Sequence, residues 1–132
     1  MTTALFPLLA RVLLALMFAQ SGYAALSNPA GTAAYFAGLA LPLPDLLPWA
    51  VGAFELLAAL CLIAGIVTRP VAALLAVFAV AASVLGHYGQ GETSQLAFFH
   101  QQMLLKDIAV AGGLILLAIH GPGAFSVDAR RG

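Results

Sequence analysis

Long apolar runs separated by short polar, glycine- and proline-containing stretches dominate this chain. Four runs stand out, at approximately residues 5–26, 46–67, 70–86 and 96–119. About 20 apolar residues in helical form span the hydrocarbon core of a bilayer, so each run predicts a membrane-spanning helix. The third run is the shortest, which predicts a less tilted helix or one beside a thinned part of the bilayer. The pattern predicts an all-α, polytopic four-helix membrane bundle, with residues 1–132 forming a single transmembrane domain.

Turn-forming residues mark the connections between the runs. Ser27-Asn28-Pro29 ends the first run, and a proline-rich stretch from Pro42 to Pro48 leads into the second. Thr68-Arg69-Pro70 predicts a tight turn between the second and third runs. Residues 30–40 are too short to span a bilayer. With Tyr35-Phe36 at the interface, they predict a short interfacial or re-entrant helix on the outer side, between spans one and two.

The composition is typical of an integral membrane protein. It has 132 residues, 63% of them hydrophobic and 8% charged, whereas soluble domains carry about 25% charged residues. The mean hydropathy is +1.04, so we expect the lipid bilayer to be the main partner. A net formal charge of zero argues against nucleic acid as a partner. The lone Cys61 excludes an intramolecular disulfide and a paired-cysteine redox motif, and no metal site is predicted.

The positive charges predict the orientation in the membrane. Arg11, Arg69 and Arg130-Arg131 all belong to one side of a four-span topology, and the connections on the other side carry no lysine or arginine. The positive-inside rule then places both termini in the cytoplasm. A cleavable signal peptide is the alternative for the first run, but Arg11 would interrupt its apolar core.

Ionisable residues within the runs carry the candidate chemistry. Glu55, Lys106 and Asp107 lie inside predicted spans, where each charge costs about 2.5–3.5 kcal/mol. Counted from the outer side, Glu55 and Lys106 both lie roughly 14 Å deep, which predicts an ion pair. Arg11 enters from the opposite side and either reaches toward Glu55 or Asp107 or snorkels to the cytoplasmic interface. The four charges sum to zero, which predicts a compact neutral network.

Two histidines extend this set. His87 and His100 flank the outer connection between the third and fourth runs, so they are predicted to lie close together above the charged residues. The candidates for ligand binding or proton handling are Arg11, Glu55, His87, His100, Lys106 and Asp107. The structural alternative is a buried ion-pair cluster that fixes helix register, with the histidines as ordinary loop-end residues. No catalytic residue is assigned.

A series of short elements follows the chain in order. They are Arg11, Ser21-Gly22, Asn28-Pro29, Leu41-Pro42, Glu55, Gly65, Thr68-Arg69, Gly86-His87, Lys106-Asp107, Gly112-Gly113, Gly121-Pro122-Gly123 and Ser126-Val127-Asp128. In their order and spacing the chain resembles the DoxX family of small four-helix bacterial membrane proteins over nearly its whole length. The family often has a lysine near the outer end of helix one. This chain has Ala24 and Ala25 there, so a binding role for that lysine does not carry over.

The resemblance implies a redox-linked membrane context. The function we expect is an integral membrane subunit associated with oxidoreductase chemistry, quinone-linked, which takes electrons from a redox partner protein. In that reading Lys106 donates a hydrogen bond to a quinone oxygen and Glu55 relays a proton. Two alternatives stay open: a scaffold or assembly protein whose buried charges are structural, and a small-molecule or lipid carrier. The identity of the cofactor and the formation of a homo-oligomer also stay open.

Overall fold

All regular secondary structure is helical within residues 2–131, the part of the chain that the computed structural model describes. In chain order the helices are α1 (Thr2–Ser27), α2 (Pro29–Gly38), α3 (Leu47–Ala64), α4 (Thr68–His87), α5 (Ser94–His120) and α6 (Asp128–Arg131). Four of them, α1, α3, α4 and α5, are long and apolar enough to cross a membrane. The predicted four-helix bundle and the short helix between its first two spans are confirmed.

The connection between α3 and α4 differs from the sequence prediction. The expected tight turn at Thr68-Arg69-Pro70 is wrong, because these residues form the first turn of α4, which runs for 20 residues. Proline is tolerated there because the first amides of a helix have no intrahelical acceptor. The chain reverses instead at Gly65, whose φ of 70° is left-handed. The N–H of Ile66 donates to the carbonyl of Cys61 at 2.9 Å, as in a Schellman motif.

The four long helices associate as two pairs. The most extensive contacts join α1 to α3 and α4 to α5, and the pairs meet chiefly through α3 and α4. Phe18, Leu62, Leu75 and Leu114 are fully buried at the centre. Alanines complete this core, and such small residues permit close helix approach.

The two ends of the bundle differ in the elements they hold. The tail end holds the start of α1, the α3–α4 turn and the tail, defined as residues 121–131. The histidine end is the opposite one and holds α2 and the α4–α5 connection.

Two glycines make a close contact within the first pair. A Cβ placed on Gly22 of α1 would lie 2.7 Å from the carbonyl oxygen of Gly52 and 2.8 Å from the amide nitrogen of Leu56, both in α3. These are backbone atoms, so a side chain at Gly22 would force the helices apart. The same approach brings Ser21 and Glu55, the neighbours of this contact, within hydrogen-bonding distance.

We expect Gly22→Ala to lower the free energy of unfolding by about 1–3 kcal/mol, the usual cost of overpacking. Gly112→Ala is the matched control, because a Cβ there meets nothing within 4 Å. Alanine at Gly112 should leave stability unchanged or raise it by about 0.5–1 kcal/mol. Unfolding in detergent followed by circular dichroism measures both. Equal effects of the two substitutions would contradict the close contact between α1 and α3.

Candidate functional site

The six candidate residues occupy three places instead of one network. Glu55 lies between α1 and α3, and Arg11 lies at the tail end. Four residues lie together between α4 and α5: His87, His100, Lys106 and Asp107. The predicted Glu55–Lys106 ion pair is wrong. Within residues 2–131 the only salt bridges are those of Asp107 with Lys106 and with His87, and neither includes Glu55. Glu55 and the four residues between α4 and α5 each have their polar partners within their own helix pair.

The four residues between α4 and α5 form a polar row. Nδ1 of His87 lies 2.9 Å from Nδ1 of His100, which confirms the predicted proximity of the two histidines. Nε2 of His87 lies 3.9 Å from Oδ2 of Asp107. The other carboxylate oxygen, Oδ1, lies 3.6 Å from Nζ of Lys106. Asp107 therefore stands between a lysine and an imidazole, and the imidazole in turn contacts the second histidine.

Helix geometry explains how the polar row forms. His87 is the last residue of α4, and Thr93 begins α5 by accepting a hydrogen bond from the N–H of Leu96 at 3.2 Å. The short connection between them sets the two helices antiparallel and side by side. His100 and Asp107 are seven residues apart in α5, so they share one helical face. That face turns toward the end of α4.

The contact between the imidazoles has a definite chemistry. A separation of 2.9 Å between two ring nitrogens is a hydrogen bond, so one ring donates and the other accepts. The carboxylate of Asp107 lies 3.9 Å from Nε2 of His87, beyond hydrogen-bonding distance, so either ring can be the donor. A proton can pass between the rings with little movement of heavy atoms, so the row is suited to proton handling.

A small cleft opens beside the polar row. Its volume is about 290 Å³, and its lining includes His87, Tyr88, Gln90, Gln101 and Leu104. Ligand pockets commonly measure about 300–1,000 Å³, so this cleft suits a group the size of one ring. The amides of Gln90 and Gln101 offer both donors and acceptors. Sequence reasoning missed both glutamines as cleft residues, although their position beside the histidines is a usable signal.

Glu55 is buried in the other helix pair. Its side chain is 6% exposed, and Oε2 accepts a hydrogen bond from the hydroxyl of Ser21 at 2.9 Å. Ser21 lies next to Gly22, so the glycine contact and this hydrogen bond belong to the same α1–α3 interface. A carboxyl group is costly to bury within the bilayer, and this hydrogen bond gives it a polar partner.

Arg11 binds the tail. Its side chain is 0% exposed, and its guanidinium donates to the carbonyl oxygens of Pro122 at 2.8 Å and Phe125 at 2.6 Å. A longer bond of 3.4 Å reaches the carbonyl of Ile63 in α3. A Cβ on Gly65 would lie 2.5 Å from Nη1 of Arg11, so the glycine leaves room for the guanidinium. Arg11 points toward the tail end, and the predicted alternative of reaching Glu55 or Asp107 is wrong.

The tail in turn caps α4. Asp128 accepts hydrogen bonds from the N–H groups of Val67 and Thr68, each at 2.8 Å. Its own N–H donates to the carbonyl of Gly65 at 2.9 Å. The hydrogen bond from Thr68 is the main cause that lowers the pKa of the Asp128 carboxyl, with smaller contributions from Val67 and the charge of Arg131. A carboxylate at a helix N-terminus also interacts favourably with the helix dipole.

Comparison with known proteins decides the family. The DoxX family model matches residues 6–88, which is more than half of the chain. The chain belongs to the DoxX family. Two relatives come from Escherichia coli (strain K12). Inner membrane protein YphA is 33% identical over 123 residues, 93% of this chain and 88% of YphA. Inner membrane protein YqjF is 33% identical over 128 residues, 92% of this chain and 88% of YqjF. No solved structure matches significantly.

As a DoxX protein, the chain is an integral membrane protein, and its DoxX-like elements gather in space. The elements around Arg11, Gly65 and Asp128 meet at the tail end, where they attach the tail. Gly86-His87 and Lys106-Asp107 meet in the polar row. Elements far apart in the chain therefore serve two distinct local structures, one that holds the fold together and one that concentrates ionisable groups.

We expect the effects of Glu55→Gln and Lys106→Met on unfolding free energy to add within about 0.5 kcal/mol, because the two residues share no partner. A double-mutant cycle in detergent measures this. The positive control is Lys106→Met with Asp107→Asn, whose charged groups lie 3.6 Å apart and should couple measurably. A coupling above about 1 kcal/mol between Glu55 and Lys106 would restore the ion pair that the structure excludes.

We expect Asp128→Asn to lower the unfolding temperature at pH 7. A carboxyl whose pKa is lowered by folding stabilises the protein above the unfolded value of about 3.9, and the contribution is lost as pH falls through the folded pKa. The difference between wild type and variant should therefore vanish in acid. Asp45→Asn, at an exposed loop carboxylate, is the matched control. A wild-type advantage that does not diminish as the pH falls below the unfolded value would contradict the capping role.

Proposed function

We propose that the chain is an integral inner-membrane subunit of an oxidoreductase system, in which the polar row and its cleft bind a quinone head group. The observation that carries the proposal is the hydrogen-bonded imidazole pair of His87 and His100 beside the Asp107 carboxylate. Intramembrane ionisable residues gathered in this way are typical of sites that move protons or bind polar ligands.

The chemistry of a quinone suits this arrangement. Reduction to the quinol adds two electrons and two protons, one proton to each carbonyl oxygen. His87 lines the cleft and, hydrogen-bonded to His100, supplies one of these protons, and solvent at the exposed end of the cleft supplies the other. Lys106 is half exposed beside Asp107 and lies on another face of α5 than the cleft-lining Gln101, so it adds positive charge to the polar row without donating to a group bound in the cleft. The two electrons are assigned to a redox partner protein. Asp107 holds its carboxylate 3.9 Å from Nε2 of His87, where it stabilises positive charge on the imidazole.

Glu55 has no role in the proposed site. It bonds to Ser21 in the other helix pair, so a proton relay through Glu55 to the polar row has no contact to support it. Arg11 is likewise a structural residue, because its nitrogens bind three backbone carbonyls. The candidate site reduces to His87, His100, Lys106 and Asp107, with Gln90 and Gln101 as cleft-lining additions.

A membrane scaffold is the second candidate function. It is favoured by the tail end, where the charges of Arg11 and Asp128 bind groups of the chain itself. In this reading the bundle presents a fixed surface to a partner and binds no small molecule. The two functions differ in what they require of the imidazole pair, which the scaffold does not need.

For the location we propose the inner membrane with both termini in the cytoplasm and one domain over the whole chain. Both relatives, YphA and YqjF, are named as inner membrane proteins. The exposed arginines Arg69, Arg130 and Arg131 lie at the tail end, which supports a cytoplasmic position for that end by the positive-inside rule.

We expect the purified protein to bind a short-chain ubiquinone saturably, as measured by titration calorimetry in detergent. His87→Gln and His100→Gln should each weaken binding about tenfold, because each removes one partner of a polar contact worth about 1–1.5 kcal/mol. His120→Gln is the matched control, since His120 is exposed at the tail end.

Two outcomes would decide against the quinone site. One is the absence of saturable binding to the folded wild-type protein. The other is equal weakening by His120→Gln and His87→Gln, which would indicate partitioning into the micelle instead of a site. If a redox partner protein still co-purifies with the His87→Gln variant while quinone does not bind even to wild type, the scaffold function is supported.

A further inference from the structure

An apolar groove runs between α4 and α5 on the exterior of the bundle, in the half nearer the tail end. Its volume is about 600 Å³, and its lining includes Ala73, Val77, Val80, Ile115 and Ile119. All its lining residues are apolar, and the alanines among them leave it concave. The groove therefore fits a hydrocarbon chain.

A cationic group lies at the mouth of the groove. Arg69 is one helical turn before Ala73, so both lie on the same face of α4. A Cβ on Gly121 would lie 3.2 Å from Nε and 3.3 Å from Nη2 of Arg69, so the guanidinium rests over the end of α5, two residues beyond Ile119. Arg69 is exposed. The ion pairs that the structure shows within residues 2–131 do not include it.

The surrounding charge favours an anionic occupant. Arg130 and Arg131 are exposed in α6 at the same end of the bundle. The carboxylate of Asp128, at that end, is already bound to the N–H groups at the start of α4. His120 is also exposed and contacts the carbonyl of Leu116 through Nδ1 at 3.0 Å, which leaves Nε2 for an external group. The positive charge at the tail end therefore favours an external anion.

We propose that the groove and Arg69 together form a binding site for an anionic phospholipid. One acyl chain lies in the groove, and the phosphate accepts hydrogen bonds from the guanidinium, whose planar fork matches phosphate oxygens. Basic pockets between membrane helices recognise such head groups. A second copy in the same membrane orientation would bring another Arg69 to the same level, and the like charges would repel. A zwitterionic lipid carries its own ammonium group, which offsets the attraction.

The test compares phosphatidylglycerol with phosphatidylcholine of the same acyl chains, added to the full-length protein in detergent and read by native mass spectrometry. Wild type should retain phosphatidylglycerol preferentially. Arg69→Gln should lower the affinity for phosphatidylglycerol about fivefold, the contribution of one basic residue at an anionic surface, and leave phosphatidylcholine unchanged. Arg131→Gln is the matched control and should have the smaller effect, because the charge of Arg131 is partly offset by the carboxylate of Asp128.

The groove is tested separately from the charge. Ala73→Phe should fill it and lower the affinity for both lipids, whereas Ala82→Phe, at another exposed alanine of α4, should not. Equal binding of the two lipids to wild type overturns the proposal, and so does an Arg69→Gln variant that matches Arg131→Gln. A wild-type dimer that Ala73→Phe converts to monomer would assign the groove to a second copy. If Ala73→Phe does not fold, Arg69→Gln alone decides, because Arg69 is exposed.

Discussion

The tail end of this fold depends on the hydrogen bonds that the guanidinium of Arg11 donates. This guanidinium is fully buried, and it binds carbonyls of the tail and of α3. Hydrogen bonds to charged groups contribute about 1.5–3 kcal/mol each, and carbonyls left without a donor in lipid are costly. The tail is therefore held against α1 and α3, and its position in turn places Asp128 at the start of α4. The Arg11 side chain of α1 thus fixes where α3, the start of α4 and the tail after α5 come together.

Hydrophobic pattern predicted the spans because length and apolarity alone decide whether a helix can cross a bilayer. The proximity of His87 and His100 was predictable for a related reason. They lie on either side of a short connection, which constrains their distance whatever the rest of the bundle does.

The partners of Glu55 and Arg11 were not predictable in the same way. Counting residues gives depth along the membrane normal, but it gives neither the rotation of a helix nor the identity of its neighbour. Glu55 and Lys106 share a depth and belong to different helix pairs. Arg11 and Asp128 bind backbone groups far away in sequence, and no local motif marks a carbonyl or an amide as a partner.

The cap on α4 has a consequence for the order in which the molecule is completed. Asp128 supplies its carboxylate to an amide 60 residues earlier in the chain, and synthesis proceeds from the N-terminus. All four spans can therefore enter the membrane while the first turn of α4 still lacks its acceptor and Arg11 lacks its carbonyls. The tail, which is made after all four spans, completes contacts that wait on Arg11 and on the start of α4. A nascent chain interrupted before the tail would hold the four spans and lack the contacts that join them at that end.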